Sequence, residues 1–197
     1  MKMKYIDRKN VIPTLSRISP IIFLIILIFN CLLVPGYRSY YLFIVYILVI
    51  LSNSLIKNII VKPLYNLLNI KSLPILGIGA RPNGASSCGF ILDNKLATSF
   101  GMPSGHSQIA WTIATYIIIK SYKTKKLTFS NIFNYICLIL FYLLILLFAT
   151  YISYSRVNIE GCHTSEQVII GGILGIFCGL LIYYYEDSAI TFLSKMY

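Results

Sequence analysis

Charged residues are scarce in this sequence, and acidic residues are the scarcest. Of its 197 residues only 12% are charged, with 6 Asp and Glu against 17 Lys and Arg, whereas 57% are hydrophobic. A typical soluble domain has about twice that share of charged residues. The composition therefore excludes an ordinary soluble protein and indicates an integral membrane protein.

Residues that bind metals are equally few. The chain has two histidines, and the only acids near its polar loops are Asp93, Glu160 and Glu166. Neither a cluster of carboxylates nor a set of Cys and His pairs offers a metal cage. We therefore expect a protein that works without a metal or another cofactor.

Long apolar runs predict the fold, because a transmembrane helix needs about 20 mostly apolar residues. Five runs qualify: residues 18–34, 40–61, 104–120, 131–153 and 168–185. The first resembles a signal peptide, but its polar lead is long and Pro35-Gly36 is a poor cleavage site, which favours a retained span. We predict an all-α, multi-pass bundle with five spans and without an internal repeat.

The segments outside these spans complete the predicted organisation. Residues 1–17 form a basic arm, residues 18–185 a single membrane domain, and residues 186–197 a short tail. Residues 62–102 are irregular and rich in Gly, Pro, Asn and Ser, with a short re-entrant or interfacial piece predicted near residues 64–68. A sixth crossing hidden in residues 64–80 stays open as an alternative.

The net charge of +11 comes from basic residues at the span ends. Anionic headgroups or a phosphate-bearing substrate explain this placement, and we expect no nucleic-acid partner. Three cysteines, at positions 31, 137 and 178, lie in spans and read as small apolar fillers. Cys88 and Cys162 lie in loops, where a disulfide and two free thiols both remain open.

Threading the five spans through a bilayer brings the polar residues to one face. That face collects both histidines and the basic residues from four segments: Lys57, Lys62, Arg81, His106, Arg156 and His163. Ser104 and Gly105 open a helix there, and the unpaired N–H groups of a helix N-terminus bind anions. Arg81 and Arg156 add forked donors suited to phosphate oxygens.

Two histidines beside one phosphate predict covalent phosphoryl transfer. One imidazole attacks phosphorus, and the other gives a proton to the leaving oxygen. Since the attacking imidazole must be neutral and the proton-donating imidazole charged, we expect a bell-shaped dependence of the reaction rate on pH. The sequence thus predicts a metal-independent reaction in which arginines and a helix terminus stabilise the charge.

These residues resemble the type 2 phosphatidic acid phosphatase superfamily of membrane lipid phosphatases. Residues 103–106 read Pro-Ser-Gly-His, Arg81-Pro82 resembles the end of a lysine-to-Arg-Pro motif, and Ser155-Arg156 with His163 resembles the third motif. The resemblance covers about residues 57–175 and implies the helical core that this superfamily shares with haloperoxidases.

The resemblance also implies a role for each matching residue. His163 would be the nucleophile and His106 the acid, which then acts as base on water. The phosphoryl oxygens would be held by four groups: the side chains of Arg81, Arg156 and Ser104, and the amide of Gly105.

Three departures from the family pattern are visible. Pro74 stands where the lysine is expected, so we assign that role to Lys57, with Lys71 as its rival. Six residues rather than five separate Arg156 from His163, and Gly161 can absorb the extra one. Gln167 replaces an aspartate four residues after His163; it can still orient the imidazole, and Glu166 or Glu160 are alternatives.

Residues around the motifs narrow the resemblance to one branch. Met102, Gln108, Trp111 and the run His-Thr-x-x-Gln are similar to dolichyl diphosphatases. This implies a polyprenyl diphosphate substrate, ahead of phosphatidic acid, and an active site on the lumenal or extracytoplasmic face, with an endoplasmic-reticulum-type membrane as the expected location. A lipid phosphotransferase and a non-catalytic scaffold or transporter remain alternatives, and the oligomeric state is left open.

The two basic clusters disagree about orientation. Short loops rich in lysine stay cytoplasmic, which places residues 121–127 inside and the reactive face outside. With five spans, the basic N-terminal arm lies on the reactive side, so both clusters are cytoplasmic only if a sixth crossing exists. That crossing would favour Lys71 over Lys57.

Overall fold

The computed structural model describes residues 11–85, 96–97, 99–125 and 132–196, and these are mostly helical. The α-helices, in chain order, are α1 (Val11–Leu33), α2 (Tyr37–Leu55), α3 (Lys62–Leu67), α4 (Gly105–Lys125), α5 (Ile132–Tyr154) and α6 (Ser165–Met196). A π-helical segment, Ile56–Val61, joins α2 to α3, and another, Ser155–Ile159, extends α5. Strands β1 (Ser72–Leu73) and β2 (Gly77–Ile78) form a small antiparallel hairpin.

Among the described residues, four helical segments are long and apolar enough to cross a membrane. They are Leu15–Leu33, Tyr37–Leu67, Ile132–Ile159 and Ser165–Lys195. Their outer faces expose large apolar side chains such as Leu32, Leu144 and Phe177. Exposed apolar surface on this scale is expected where lipid replaces water as the solvent. The protein is therefore a multi-pass membrane protein.

Helix α4 contains the third predicted span but is not among these four segments. It carries Ser107, Gln108 and Thr112, which are at most 5% exposed. The side chain of Gln108 accepts a hydrogen bond from Asn53 of α2, and Trp111 donates one to Ser153 of α5. α4 packs against α1, α2, α5 and α6. A helix enclosed by other helices can carry polar residues that those neighbours satisfy, which lowers its hydropathy.

Residues 64–80 do not cross the membrane in this fold. The helix that begins with α2 ends at Leu67, and a hairpin follows in which Asn69 and Ile75 adopt positive φ angles. The short re-entrant or interfacial piece predicted near residues 64–68 coincides with the end of α3. A hairpin with Pro74 in its turn leaves too little helical chain for a sixth crossing. α6 continues past residue 185, where the last span was predicted to end, to Met196, so residues 186–196 of the predicted tail are helical.

Glycines on α6 allow it to lie close to α4. A Cβ atom on Gly171 would come within 2.5 Å of the Ser104 carbonyl oxygen, and one on Gly175 would overlap the carbonyl oxygen of Gln108. Gly179 faces the Thr112 carbonyl in the same way, at 2.7 Å. Small residues at four-residue spacing let helix backbones approach. The stripe sets the packing between the two helices that carry the site.

Gly175→Ala is expected to destabilise the protein by about 1–3 kcal/mol, because its methyl group overlaps α4 backbone that cannot move aside. The thermal unfolding midpoint in detergent would fall by several degrees. Gly36→Ala is the matched control, since a Cβ there has nothing within 4 Å and its φ of 168° is extended. Equal midpoints for the two variants would contradict this packing role.

Candidate active site

Six segments bring polar side chains together at one end of the bundle. Their residues are Arg17 of α1, Lys57 after α2, Arg81 after the hairpin, Ser104 to His106 at the start of α4, Arg156 after α5, and His163 before α6. Arg81 contacts His163, and the Ser104 backbone N–H donates to the Gln167 carbonyl at 3.0 Å. Both histidines lie at this end, as the threading of spans predicted.

A tight turn places His163 beside Arg156. The backbone N–H groups of Cys162 and His163 both donate to the Arg156 carbonyl oxygen, at 3.1 and 3.2 Å. Gly161 has a φ of 61°, a left-handed conformation that glycine adopts without steric cost. The extra residue between Arg156 and His163 is thus accommodated in the turn that contains Gly161.

The hydrogen bonds of Gln167 determine the tautomer of His163. The Gln167 amide nitrogen donates to the carbonyl oxygens of Ile78 and Ala80, at 2.8 and 2.6 Å. Its Oε1 therefore faces the imidazole, 2.9 Å from Nδ1 of His163. An amide oxygen only accepts, so Nδ1 carries the proton and Nε2 keeps its lone pair. Arg81 Nη1 lies 3.4 Å from that Nε2 and donates toward it.

Arg81 reaches His163 from the loop that follows the hairpin. Its Nη1 donates to the Cys162 carbonyl at 3.0 Å, and its Nε donates to the Ser99 hydroxyl at 3.1 Å. The loop that carries Arg81 is held by the Gln167 bonds to Ile78 and Ala80. The same glutamine therefore positions both the imidazole and the arginine that faces it.

Lys57, and not Lys71, lies with the site. The Lys57 ammonium interacts electrostatically with Arg81 and His163. Lys71 is exposed beside the hairpin and makes no comparable contact with these residues. A sixth crossing in residues 64–80 was the condition that would have favoured Lys71. Its absence from the structure therefore agrees with the assignment of Lys57.

The start of α4 offers donors to an anion. Ser104 is fully buried, and its hydroxyl has no hydrogen-bond partner among the residues that the structure describes. Its carbonyl accepts from the Gln108 N–H at 3.1 Å, so the N–H groups of the first helical turn are left without intrahelical acceptors. His106 sits in this turn and donates from Nε2 to the Arg17 carbonyl at 3.0 Å, since a carbonyl can only accept.

The acids proposed as alternatives to Gln167 have other partners. Glu160 accepts hydrogen bonds from Arg156 and Arg17, at 2.7 and 2.6 Å. Glu166 packs against Gly77 of the hairpin, where a Cβ would lie 2.8 Å from its Cγ. Gln167 alone of the three is bonded to the His163 ring. The sequence analysis did not predict the pairing of Glu160 with Arg17 of α1. Acidic residues are rare in this chain, and Glu160 lies four residues after Arg156, so its sequence position could have indicated a structural role.

Cys162 is disulfide-bonded, which favours the predicted disulfide over two free thiols. Its expected partner, Cys88, lies outside the described residues, as does Asp93. Cys31, Cys137 and Cys178 are free. Within the described ranges, no group of three or more His, Cys, Asp or Glu side chains has the arrangement of a metal site.

Burial keeps the His163 imidazole neutral. The desolvation of the ring, followed by the charge of Arg81, lowers the pKa of His163 from 6.5 to about 3; Arg156 and Lys57 add to this, while the Gln167 hydrogen bond opposes it. A neutral imidazole with a free Nε2 is the form that attacks phosphorus.

The same pKa shift predicts a stability change with pH. Unfolded His163 takes up a proton below pH 6.5 and folded His163 does not, so stability falls as the pH drops from 7 toward 3. Between pH 7 and pH 5 this costs the wild-type protein about 2 kcal/mol that His163→Gln does not lose. Thermal unfolding of both proteins at the two pH values measures the difference. Equal pH dependence would contradict a neutral buried His163.

Comparison with protein families agrees with this arrangement. The family model of the PAP2 superfamily matches residues 38–190. The chain belongs to the PAP2 superfamily. No curated protein and no solved structure matches it significantly. The resemblance to membrane lipid phosphatases is confirmed at the level of the superfamily.

PAP2 superfamily membership suggests a lipid phosphatase that acts at the membrane. The matched region includes Lys57, Arg81, His106, Arg156 and His163, and it begins after α1. The Arg17 contacts with His106 and Glu160 therefore reach the site from outside the matched region.

Proposed function

We propose that this PAP2 superfamily protein hydrolyses a polyprenyl diphosphate through a phosphohistidine formed on His163. The observation that carries the proposal is the neutral, buried imidazole whose Nε2 lone pair faces Arg81. Nδ1 is occupied by Gln167, so Nε2 is the only ring atom that can form the bond to phosphorus. The reaction needs no metal, because cationic side chains surround the phosphoryl group.

In the first step, Nε2 of His163 attacks the terminal phosphorus as the bond to the bridging oxygen breaks. Protonated His106 gives its Nδ1 proton to that leaving oxygen, because its Nε2–H is held by the Arg17 carbonyl. Arg81, Arg156, Lys57, the Ser104 hydroxyl and the Gly105 N–H hold the phosphoryl oxygens. In the second step, His106 takes a proton from water, which attacks phosphorus and releases phosphate and neutral His163.

An apolar cavity supports a lipid substrate. It has a volume of about 300 Å³ and lies between α1, α2, α4 and α6, lined by Phe23, Val49, Ile109, Ile113 and Ile182 among others. Ile109 lies one helical turn beyond His106, so the cavity starts close to the reactive end. We propose that this cavity receives the part of the lipid chain nearest the phosphate.

A second cavity supports a diphosphate rather than a monophosphate. It has a volume of about 290 Å³ and is lined by Arg81, Lys62, Asn83 and Ser99 among others. Arg81 therefore borders both the His163 ring and a polar space with a second cation. Such a space can hold the additional charge of a diphosphate.

The proposed enzyme has α4 as a fifth crossing. α4 has 21 residues, which span about 31 Å, enough to cross the hydrocarbon layer. Four apolar helices surround it, so its polar side chains need not meet lipid. We propose the orientation that the family resemblance implies, with the lysine-rich end of α4 cytoplasmic and the site, at the opposite end of the bundle, on the lumenal side of an endoplasmic-reticulum-type membrane. Arg17 of the basic arm lies at the site end, so this orientation follows the loop after α4 and not the arm.

A phosphate-release screen tests this function. In detergent with EDTA, the protein is expected to release phosphate fastest from polyprenyl diphosphate, more slowly from polyprenyl monophosphate and phosphatidate, and to be inhibited by vanadate. Lys62→Ala should lower the rate on the diphosphate about tenfold and spare the monophosphate, whereas Lys71→Ala, on the exposed hairpin, should change neither. Failure to release phosphate from any of these lipids, or a requirement for Mg²⁺, would refute the proposal, and transfer to an alcohol would identify a phosphotransferase.

A further inference from the structure

Glu160 lies at the centre of a buried network that joins α1 to the end of α5. Its side chain is 1% exposed. One carboxylate oxygen, Oε2, accepts from Arg156 Nη1 at 2.7 Å and from Arg17 Nε at 2.6 Å. The other, Oε1, accepts from the hydroxyl groups of Ser16 and Ser155, at 2.9 and 3.2 Å. Every lone pair of a buried charge is thus used, the condition under which such a charge is tolerated.

Two cations share a single oxygen in this network. Arg17 and Arg156 would repel each other in a buried position if the carboxylate between them were neutral. Arg156 is fully buried and its carbonyl accepts from His163, so a displacement of Arg156 also reaches the nucleophile. The carboxylate of Glu160 therefore determines where the Arg156 guanidinium lies.

Arg17 also contacts the second histidine. Its backbone carbonyl accepts from His106 Nε2 at 3.0 Å, while its side chain binds Glu160. One residue of α1 is thus in contact with His106 and, through Glu160, with Arg156.

We propose that Arg17 and Glu160 are positioning residues that let α1 hold Arg156 and His106 in the geometry that binds a phosphoryl group. This rests on the proposed function. It assigns a catalytic purpose to a helix that lies before the region matched by the superfamily. Glu160 acts by fixing Arg156, and Arg17 acts by orienting Glu160 and by offering its carbonyl to His106.

The charge arrangement gives a specific order of affinities for orthovanadate, measured by titration calorimetry on the purified full chain. Glu160→Gln is expected to weaken binding about tenfold, because Arg156 is then repelled by Arg17. Arg17→Met, which leaves the Glu160–Arg156 pair in place, is expected to weaken it about threefold. The double variant is expected to bind at least about threefold more tightly than Glu160→Gln, since removing Arg17 removes the repulsion.

A matched control exists at the opposite end of the bundle. Glu186 is also a 1% exposed carboxylate between two cations, Arg38 and Lys120, each at 2.8 Å. It lies 19 residues beyond Gln167 on α6, about 28 Å along the helix axis. Glu186→Gln is expected to lower the thermal midpoint as Glu160→Gln does but to leave vanadate affinity within about twofold of wild type.

The outcomes separate the two proposals. Equal losses of affinity in Glu160→Gln and Glu186→Gln, or a double variant that binds no better than Glu160→Gln, would overturn the positioning role. If Glu160→Gln does not fold, an unchanged affinity in Arg17→Met overturns it as well. A wild-type protein that binds vanadate in the expected order among variants but releases no phosphate would contradict the proposed function alone.

Discussion

Replacing His163 with alanine is expected to abolish turnover of every substrate, by about 10⁴-fold or more, because the proposed phosphohistidine cannot form without its imidazole. His106→Ala is expected to behave differently. With a polyprenyl diphosphate, whose leaving group must be protonated, it should lose about 10²–10⁴-fold. With p-nitrophenyl phosphate, whose leaving group departs without a proton, its first step should be nearly normal.

The two variants are compared in a rapid-mixing assay with p-nitrophenyl phosphate. His106→Ala should give a burst of p-nitrophenol equal to the enzyme concentration, followed by slow turnover, because water then lacks its base. Phosphate labelled with ³²P should accumulate on the protein as an acid-labile adduct in this variant and be absent from His163→Ala. A burst in His163→Ala, or label that survives acid, would assign the nucleophile to another residue.

Much of the site could be predicted because its residues lie at the ends of apolar runs. Consecutive spans cross the bilayer in opposite directions, so the order of the five apolar runs decides which of their ends share a face. This order puts both histidines and both motif arginines on the same face. The identity of the lysine depended on whether residues 64–80 crossed again. In the structure a hairpin occupies part of this segment, and the positive φ angles at Asn69 and Ile75 are not readable from hydropathy.

The unpredicted contacts are those between segments far apart in sequence. The pairing of Glu160 with Arg17 spans 143 residues, and nothing local in either segment specifies it. Hydropathy also says little about α4, the third predicted span. The polar residues of α4 form hydrogen bonds with Asn53 on α2 and Ser153 on α5. The low hydropathy of α4 therefore does not show whether the helix faces water or other helices. Sequence periodicity predicts which residues are helical, but it does not identify these partners.

The second large effect on activity is expected from a substitution of Gln167. An aspartate is expected here in the superfamily, and a carboxylate would stabilise an imidazolium better than an amide does. The structure gives a reason for the amide: its Nε2 donates to the carbonyls of Ile78 and Ala80, which no carboxylate can do. Gln167 is fully buried, so a carboxylate there would face two carbonyl oxygens without solvent.

Gln167→Glu is therefore expected to lower kcat/KM about 10²-fold, even though it adds the charge that the family pattern contains. Two separate changes contribute. Loss of the bonds to residues 78 and 80 releases the loop that carries Arg81, which raises KM. The new carboxylate raises the pKa of His163 above its value of about 3, so the acid limb of kcat/KM moves to higher pH.

Gln108→Glu is the matched control for this substitution, because Gln108 is equally buried and accepts a hydrogen bond from Asn53. It should destabilise the protein to a similar extent without moving the acid limb, since it does not contact His163. Full pH profiles of kcat/KM for the three proteins measure both effects. If Gln167→Glu matches or exceeds the wild-type rate, the amide donors are dispensable, and the loop that carries Arg81 must be held by other contacts.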